Sequence, residues 1–164
     1  MLKISMLCLL LITGLNLATV PAYAAPGAVE VKSVAEVEVE IKNAAGKLEK
    51  KRELAKLAAP GTTVIYTTEF KNISTKPAGN VVIVNPLPKN TSYVAGSAFG
   101  ANTEIGFSVD GGKQFAAAEK LIMKTKEGRE RPALATDYTD IRWVYKGDLP
   151  PGKTGEAGFR AVIK

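Results

Sequence analysis

Histidine is absent from this chain of 164 residues, and its single cysteine, Cys8, lies close to the N-terminus. Without imidazole, neither a Ser-His-Asp nor a Cys-His nucleophile pair can be assembled, and the commonest borderline metal ligand is missing. One cysteine closes no intrachain disulfide, so a hydrophobic core has to stabilise the fold. Aromatics are also scarce, at 7%, with Trp143 the only tryptophan. These absences leave no catalytic, cofactor-binding or metal-ligating set to name. The expectation is a protein that is not an enzyme and holds no cofactor.

What is present begins with a leader. Lys3 supplies a positive start, residues 4–17 are apolar apart from small or polar breaks, and Ala22-Tyr23-Ala24 has the small-x-small pattern of a cleavage site. Residues 1–24 are therefore expected to be a signal peptide cut after Ala24. The apolar run falls short of the ~20 residues that span a bilayer. Cys8 sits far ahead of the cleavage site and follows Leu7 rather than a small residue, which argues against a lipoprotein. The mature chain, residues 25–164, is long enough for one domain that buries about two-thirds of its unfolded surface. No transmembrane segment is expected after cleavage, and the location is periplasmic, secreted or at the cell surface.

Period-two alternation dominates the mature chain. From residue 29 to 41 the odd positions read Val29, Val31, Ser33, Ala35, Val37, Val39 and Ile41, whereas Glu30, Lys32, Glu36, Glu38 and Glu40 fall on even ones. One face is apolar and the other charged, as in a half-buried strand. The split recurs at Val64, Tyr66 and Phe70, at Ile105, Phe107 and Val109, at Ile141, Trp143 and Tyr145, and at Ala157, Phe159, Ala161 and Ile163. Residues 80–84 differ, being apolar on both sides at Val81, Val82, Ile83 and Val84. They read as the most enclosed strand, packed on both faces. The expected core is Val64, Tyr66, Phe70, Ile83, Phe107, Trp143 and Phe159.

Turn residues separate these runs at Asn43 to Gly46, Pro60-Gly61, Pro77 to Gly79, Pro86 to Pro88, Asp110-Gly111-Gly112 and Pro150-Pro151-Gly152. Residues 47–59 are ambiguous between a short helix and a strand. A helix that short with little apolar face is marginal, so a strand or irregular edge is the preferred reading. Lys50, Lys51 and Arg52 would then blunt the edge.

The pattern Pro60-Gly61-Thr62, Val64, Tyr66, Asn72, Asn80-Val81-Val82-Ile83, Pro86-Leu87-Pro88 and Tyr93-Val94-Ala95-Gly96-Ser97 resembles the repeat module called domain of unknown function eleven. Ile141-Arg142-Trp143 through Leu149-Pro150-Pro151-Gly152 to Phe159-Arg160-Ala161-Val162 is similar to the last two strands of that module. The resemblance covers residues 59–164. It implies an immunoglobulin-like antiparallel β-sandwich with Greek-key connections, found in exported or surface bacterial proteins and often in tandem copies. Residues 25–58 would be an N-terminal strand and hairpin region packing on it.

Ser108-Val109-Asp110-Gly111-Gly112-Lys113-Gln114-Phe115 looks like the Asp-box of sialidase-like propellers and other β proteins. Its aspartate can accept backbone hydrogens across a tight turn, its glycines tolerate positive φ, and its aromatic can pack beneath the hairpin. A sialidase would need several copies, and one copy points to a structural lock formed by Ser108, Asp110, Gly112 and Phe115. No neighbouring carboxylates repeat at a spacing that would fill a calcium shell.

The remaining charges suggest surfaces rather than chemistry. Glu36, Glu38 and Glu40 share one solvated face and lack the asymmetry that glycoside hydrolysis demands of two carboxyls. Asp137 and Asp140 flank Tyr138, a candidate for pinning a sandwich corner. Net charge is +6. Lys50, Lys51 and Arg52, and again Lys124, Lys126, Arg129 and Arg131, are the candidate contacts for an anionic polymer such as lipopolysaccharide. Glutamates interrupt both clusters and no aromatics stack among them, so nucleic acid is an unlikely partner. The sequence as a whole reads as a non-catalytic envelope module whose protein partner would be met at an exposed edge strand or at residues 124–137.

Overall fold

Alternation of the kind just described yields two antiparallel sheets facing each other across one core. The computed structural model describes residues 28–125 and 127–164, so the expected signal peptide and Lys126 lie outside the described residues. The strands are β1 (Val29–Lys42), β2 (Leu48–Leu54), β3 (Thr63–Asn72), β4 (Val82–Pro86), β5 (Thr91–Tyr93), β6 (Phe99–Gly100), β7 (Thr103–Ser108), β8 (Ile122–Lys124), β9 (Glu130–Pro132), β10 (Asp140–Tyr145) and β11 (Thr154–Ile163). The larger sheet has six strands in the order β2-β1-β3-β11-β5, with β6 also on β11. The smaller one runs β4-β10-β7, and β8-β9 is a separate hairpin.

Phe70, Tyr93, Ala157, Phe159 and Ala161 project from the larger sheet onto Ile83, Phe107, Ile141 and Trp143 of the smaller. Trp143 stacks on Phe159 with ring centroids 6.3 Å apart, and Tyr93 meets Phe107 at 5.6 Å. Burying one large apolar side chain of this kind contributes about 1.5–3 kcal/mol. Six of the seven expected core residues are buried: Val64, Phe70, Ile83, Phe107, Trp143 and Phe159. Tyr66 is only half-buried, stacked on Phe159 at 5.1 Å.

The unequal widths of the two sheets correct two expectations. Strand β4 is not the most enclosed strand. It is an edge, with Val81 and Ile83 buried but Val82 and Val84 turned outward at 47% and 45% exposure. The enclosed strand is β3, which lies between β1 and β11 and is buried on both faces at Val64 and Ile65 and again at Thr67 and Thr68. Likewise, the apolar row of β1 is not buried. Its register sets Val31, Ser33, Ala35 and Val37 beside Phe70, Thr68, Tyr66 and Val64 on the core side, yet no residue of β1 is buried and Val31 is 50% exposed. A three-stranded layer does not reach across a six-stranded one, so β1 and β2 form an overhanging ledge. Residues 47–59 contribute β2, the preferred strand, and it forms the outer edge of that ledge.

Candidate functional site

The Asp-box segment closes a hairpin beyond β7. The Ser108 hydroxyl donates to Asp110 Oδ1 (2.7 Å) and accepts from the N–H groups of Asp110 (3.2 Å) and Gly112 (3.0 Å). Asp110 Oδ1 also accepts from the backbone of Lys113 and Gln114, each at 3.1 Å. Gly111 and Gly112 take φ of 75° and 79°, which a side chain would strain. The returning chain pairs Ala116 with Phe107, and Phe115 lies under the Arg142 guanidinium at 4.6 Å. Phe115 thus packs on the outer face of the smaller sheet, not in the core. The Ser108 hydroxyl and Asp110 Oδ1 are thus spent on each other and on the backbone of the turn.

Two expected outcomes follow from that geometry. Ser108 is fully buried, so Ser108→Ala, which leaves the Gly112 N–H without its acceptor, should cost about 1–3 kcal/mol in a urea titration. The Ser108 hydroxyl, then the N–H groups of Gln114 and Lys113, hold the Asp110 carboxyl below the usual carboxylate range. A depressed folded pKa stabilises the fold fully above the unfolded value and loses that contribution as pH falls through the folded one. Thermal melts of the wild type should therefore weaken below about pH 4, and Asp110→Asn should flatten part of that acid limb.

The basic clusters are dispersed by the fold. Alternation along β2 sends Lys50 and Arg52 to the outer face, in register with Glu40 and Glu38, and Lys51 to the opposite one. Glu38 accepts from Arg160 (2.7 Å) and lies 3.9 Å from Lys50, and the Arg160 hydrogen bond is the main reason its carboxyl titrates low. In the second cluster Arg131 is clasped by both oxygens of Asp137 at 2.7 and 2.9 Å. Asp137 also accepts from Leu134 N (2.7 Å), and its carboxyl too is held low, chiefly by Arg131. Lys124 faces Glu130 across the β8-β9 hairpin, with 3.8 Å between charges. Arg129 has no ion pair among the described residues.

Two clefts flank the core. One, of about 300 Å³, opens between the edge of β4 and the ledge and is lined by Ser33, Ala35, Tyr66, Thr68, Asn85 and Pro86. At its floor Thr68 Oγ1 accepts from Asn85 Nδ2 (2.8 Å) and shares a hydrogen bond with Ser33 Oγ (2.9 Å). Val81 O accepts from Tyr145 N and Leu87 N donates to Thr139 O, so the odd residues of β4 carry the ladder to β10. The N–H and C=O groups of Val82 and Val84 consequently point away from β10, along the open edge of the smaller sheet. The other cleft, about 470 Å³, is walled by alanines over Tyr93, Phe107 and Tyr138. Phe107 and Tyr138 stack at 4.5 Å, and burial, then Tyr93, Asp137 and Glu119, push the Tyr138 phenol up, so it stays neutral near pH 7.

The open flank at β4 was missed by sequence reasoning, because an apolar run says nothing about how many strands sit beside it. The Arg131–Asp137 clasp was missed too, since a spacing of six matches neither strand nor helix periodicity. Among the described residues no three His, Cys, Asp or Glu side chains gather where a metal ion could be held, and no helix is long and apolar enough to cross a membrane. The sequence matches no protein-family model, and no curated protein is significantly similar to it.

Proposed function

We propose that this chain is a non-catalytic structural or protein-interaction module of the bacterial cell envelope, exported by its leader and built as an immunoglobulin-like sandwich akin to the domain of unknown function eleven. The observation that carries this reading is the open flank of the smaller sheet. Outward-facing backbone groups at Val82 and Val84 lie on the same strand edge as Asn85 and Pro86, which line a cleft walled on its other side by Ser33 and Ala35 of the uncovered β1. An extended segment added there would continue the β4 ladder and cover Val31 and Ala35, the mode by which sheets commonly recognise peptides. Pro86 limits the pairing to the stretch before it, which sets a register. Adherence to an anionic polymer is the alternative, but Lys51 lies on the opposite face of β2 from Lys50 and Arg52, Arg131 and Lys124 lie against Asp137 and Glu130, and no observation favours it over the first reading.

Expression of the full chain in a Gram-negative host, followed by fractionation and intact-mass measurement, tests the export half. Polypeptide beginning at Ala25 and recovered outside the cytoplasm is the expected result, and an uncut cytoplasmic chain would overturn it. A photoreactive residue at Val84 tests the interaction half: it should crosslink to an envelope protein in intact cells, whereas the same group at Glu69, on the far face of the larger sheet, should not. Equal crosslinking at both positions, or none at either, counts against β4 as the contact.

A further inference from the structure

We infer that the outer edge of the ledge, strand β2, is a self-complementary docking surface whose partner is a second copy of this chain, added antiparallel to form one continuous sheet. The inference does not depend on the role proposed for β4.

Three observations lead to it. First, Ala55 N donates to Ala35 O and Asn43 N to Lys47 O, so the odd-numbered residues of this segment bond to β1. The backbone groups of Leu48, Lys50 and Arg52 therefore face outward, and Leu48 and Leu54 lie exposed beside them. Second, the charges on the two faces of β2 are treated differently within the chain. On the outer face Lys50 and Arg52 stand across from Glu40 and Glu38. On the core-side face Glu49, Lys51 and Glu53 stand across from Ile41, Val39 and Val37, and the ion pair of Lys51 is with its own strand neighbour Glu53 at 3.6 Å. No cross-strand counter-charge is supplied there by β1. Third, from Lys47 to Glu53 that face alternates in sign, plus, minus, plus, minus.

An antiparallel copy related by a two-fold axis at Lys50 matches every charge in that row. Lys47 meets Glu53 of the other copy, and Glu49 meets its Lys51, which by symmetry gives four opposite-charge pairs. Leu48 and Arg52 pair across the axis through the outward backbone groups. The single like-charge contact, Lys50 with itself, is eased because each Lys50 already lies 3.9 Å from Glu38. Moving the axis to Lys51 instead sets Lys51 against Lys51, Glu49 against Glu53 and Lys50 against Arg52, all repulsive. Edge lysines ordinarily discourage pairing, but here the sign pattern ranks the registers: axes at Leu48 or Arg52 make only two opposite-charge pairs in the row, and the axis at Lys50 makes four. A few paired residues bury less than the ~1,200 Å² of a standard interface. The association is therefore weak, salt-sensitive and effective where the protein is concentrated.

Sedimentation equilibrium of the mature chain tests this. A monomer–dimer equilibrium that weakens from low to high salt is expected. Lys50→Pro removes an outward N–H without touching the ladder to β1 and should weaken dimerisation at least tenfold, with circular dichroism and melting temperature checked for an intact fold. A charge-swap pair guards against a folding artefact. Lys47→Glu/Lys51→Glu and Glu49→Lys/Glu53→Lys should each be monomeric alone and should form a heterodimer when mixed. A strictly monomeric wild type at millimolar concentration overturns the inference. So does a dimer indifferent to Lys50→Pro, or charge-swapped variants that fail to recombine.

Discussion

Replacing Trp143 with alanine is expected to destabilise the fold by about 3–5 kcal/mol, the range for deleting a fully buried indole and leaving its cavity. Trp143 is 0% exposed and occupies the middle strand of the smaller sheet, β10, where it pairs with Ile83 on one side and Ile105 on the other and stacks on Phe159 across the core. The loss is a large share of the ~5–15 kcal/mol by which domains are usually stable. No intrachain disulfide can compensate, since the sequence holds a single cysteine. Urea unfolding should show a much lower midpoint with little change in slope. Trp143→Phe makes the comparison informative, because the indole N–H has no hydrogen-bond partner among the described residues. Removing that donor forfeits no hydrogen bond, so the phenylalanine variant should lose well under half as much as the alanine one. Equal losses would show that the indole nitrogen has a partner. An alanine variant that melts within a degree or so of wild type would mean that Trp143 is not in the core.

How far the fold was legible depended on whether a residue's environment was set by its own strand or by the number of strands around it. Alternation in β3, β7, β10 and β11 placed Phe70, Phe107, Trp143 and Phe159 correctly, because these strands lie where both sheets overlap and period two maps directly onto inside and outside. Residues 48–54 of the ambiguous stretch 47–59 form the charged edge strand, because a segment whose apolar residues, Leu48 and Leu54, stand only at its ends has little to bury. The same logic failed at one edge of the overlap. Strand β1 has a clean apolar row, but no layer covers it, and β4 has valines on both faces although only one face is packed. Composition within a strand cannot report the width of the opposing sheet. The hairpin from Ser108 to Phe115 was legible because its chemistry is local, with every polar contact but those of Thr139 made within a few residues.

These two failures fall on the same flank of the molecule, and the physical reason is common. Burying the core side of β1 would require a fourth strand beside β4, which the described chain does not supply. The cost of leaving it uncovered is moderated by small residues, Ser33 and Ala35, and by the Ser33–Thr68–Asn85 hydrogen bonds that satisfy the polar floor. An apolar row next to free strand edges marks a place for binding in a folded protein, and a hazard of aggregation in an unprotected one.

Gly158→Ala should be a strongly disruptive single-methyl change, costing about 3 kcal/mol or more. Its backbone angles are ordinary, so the demand is for space. A β-carbon built there would lie 2.5 Å from the Tyr66 carbonyl oxygen and 2.5 Å from Phe99 Cζ. The Phe99 ring is half-buried at the edge strand β6 and can swing aside. The Tyr66 carbonyl cannot, because it belongs to β3, and Gly158 and Phe159 stand in register with Thr67 and Tyr66 at the centre of the larger sheet. Relief would have to separate β11 from β3, and forced backbone shifts of that kind exceed the usual ~1–3 kcal/mol of overpacking. Gly147→Ala, at a turn with open space around it, provides a comparison in which only the positive φ of 81° is penalised, at roughly 1–2 kcal/mol. The two contributions at Gly158 separate in a double-mutant cycle with Phe99→Ala. Deleting the ring should recover only part of the loss, leaving the carbonyl contact as the larger share. Full recovery in the double variant would assign the whole cost to Phe99 and show that the β3-β11 ladder can open by several tenths of an ångström without penalty.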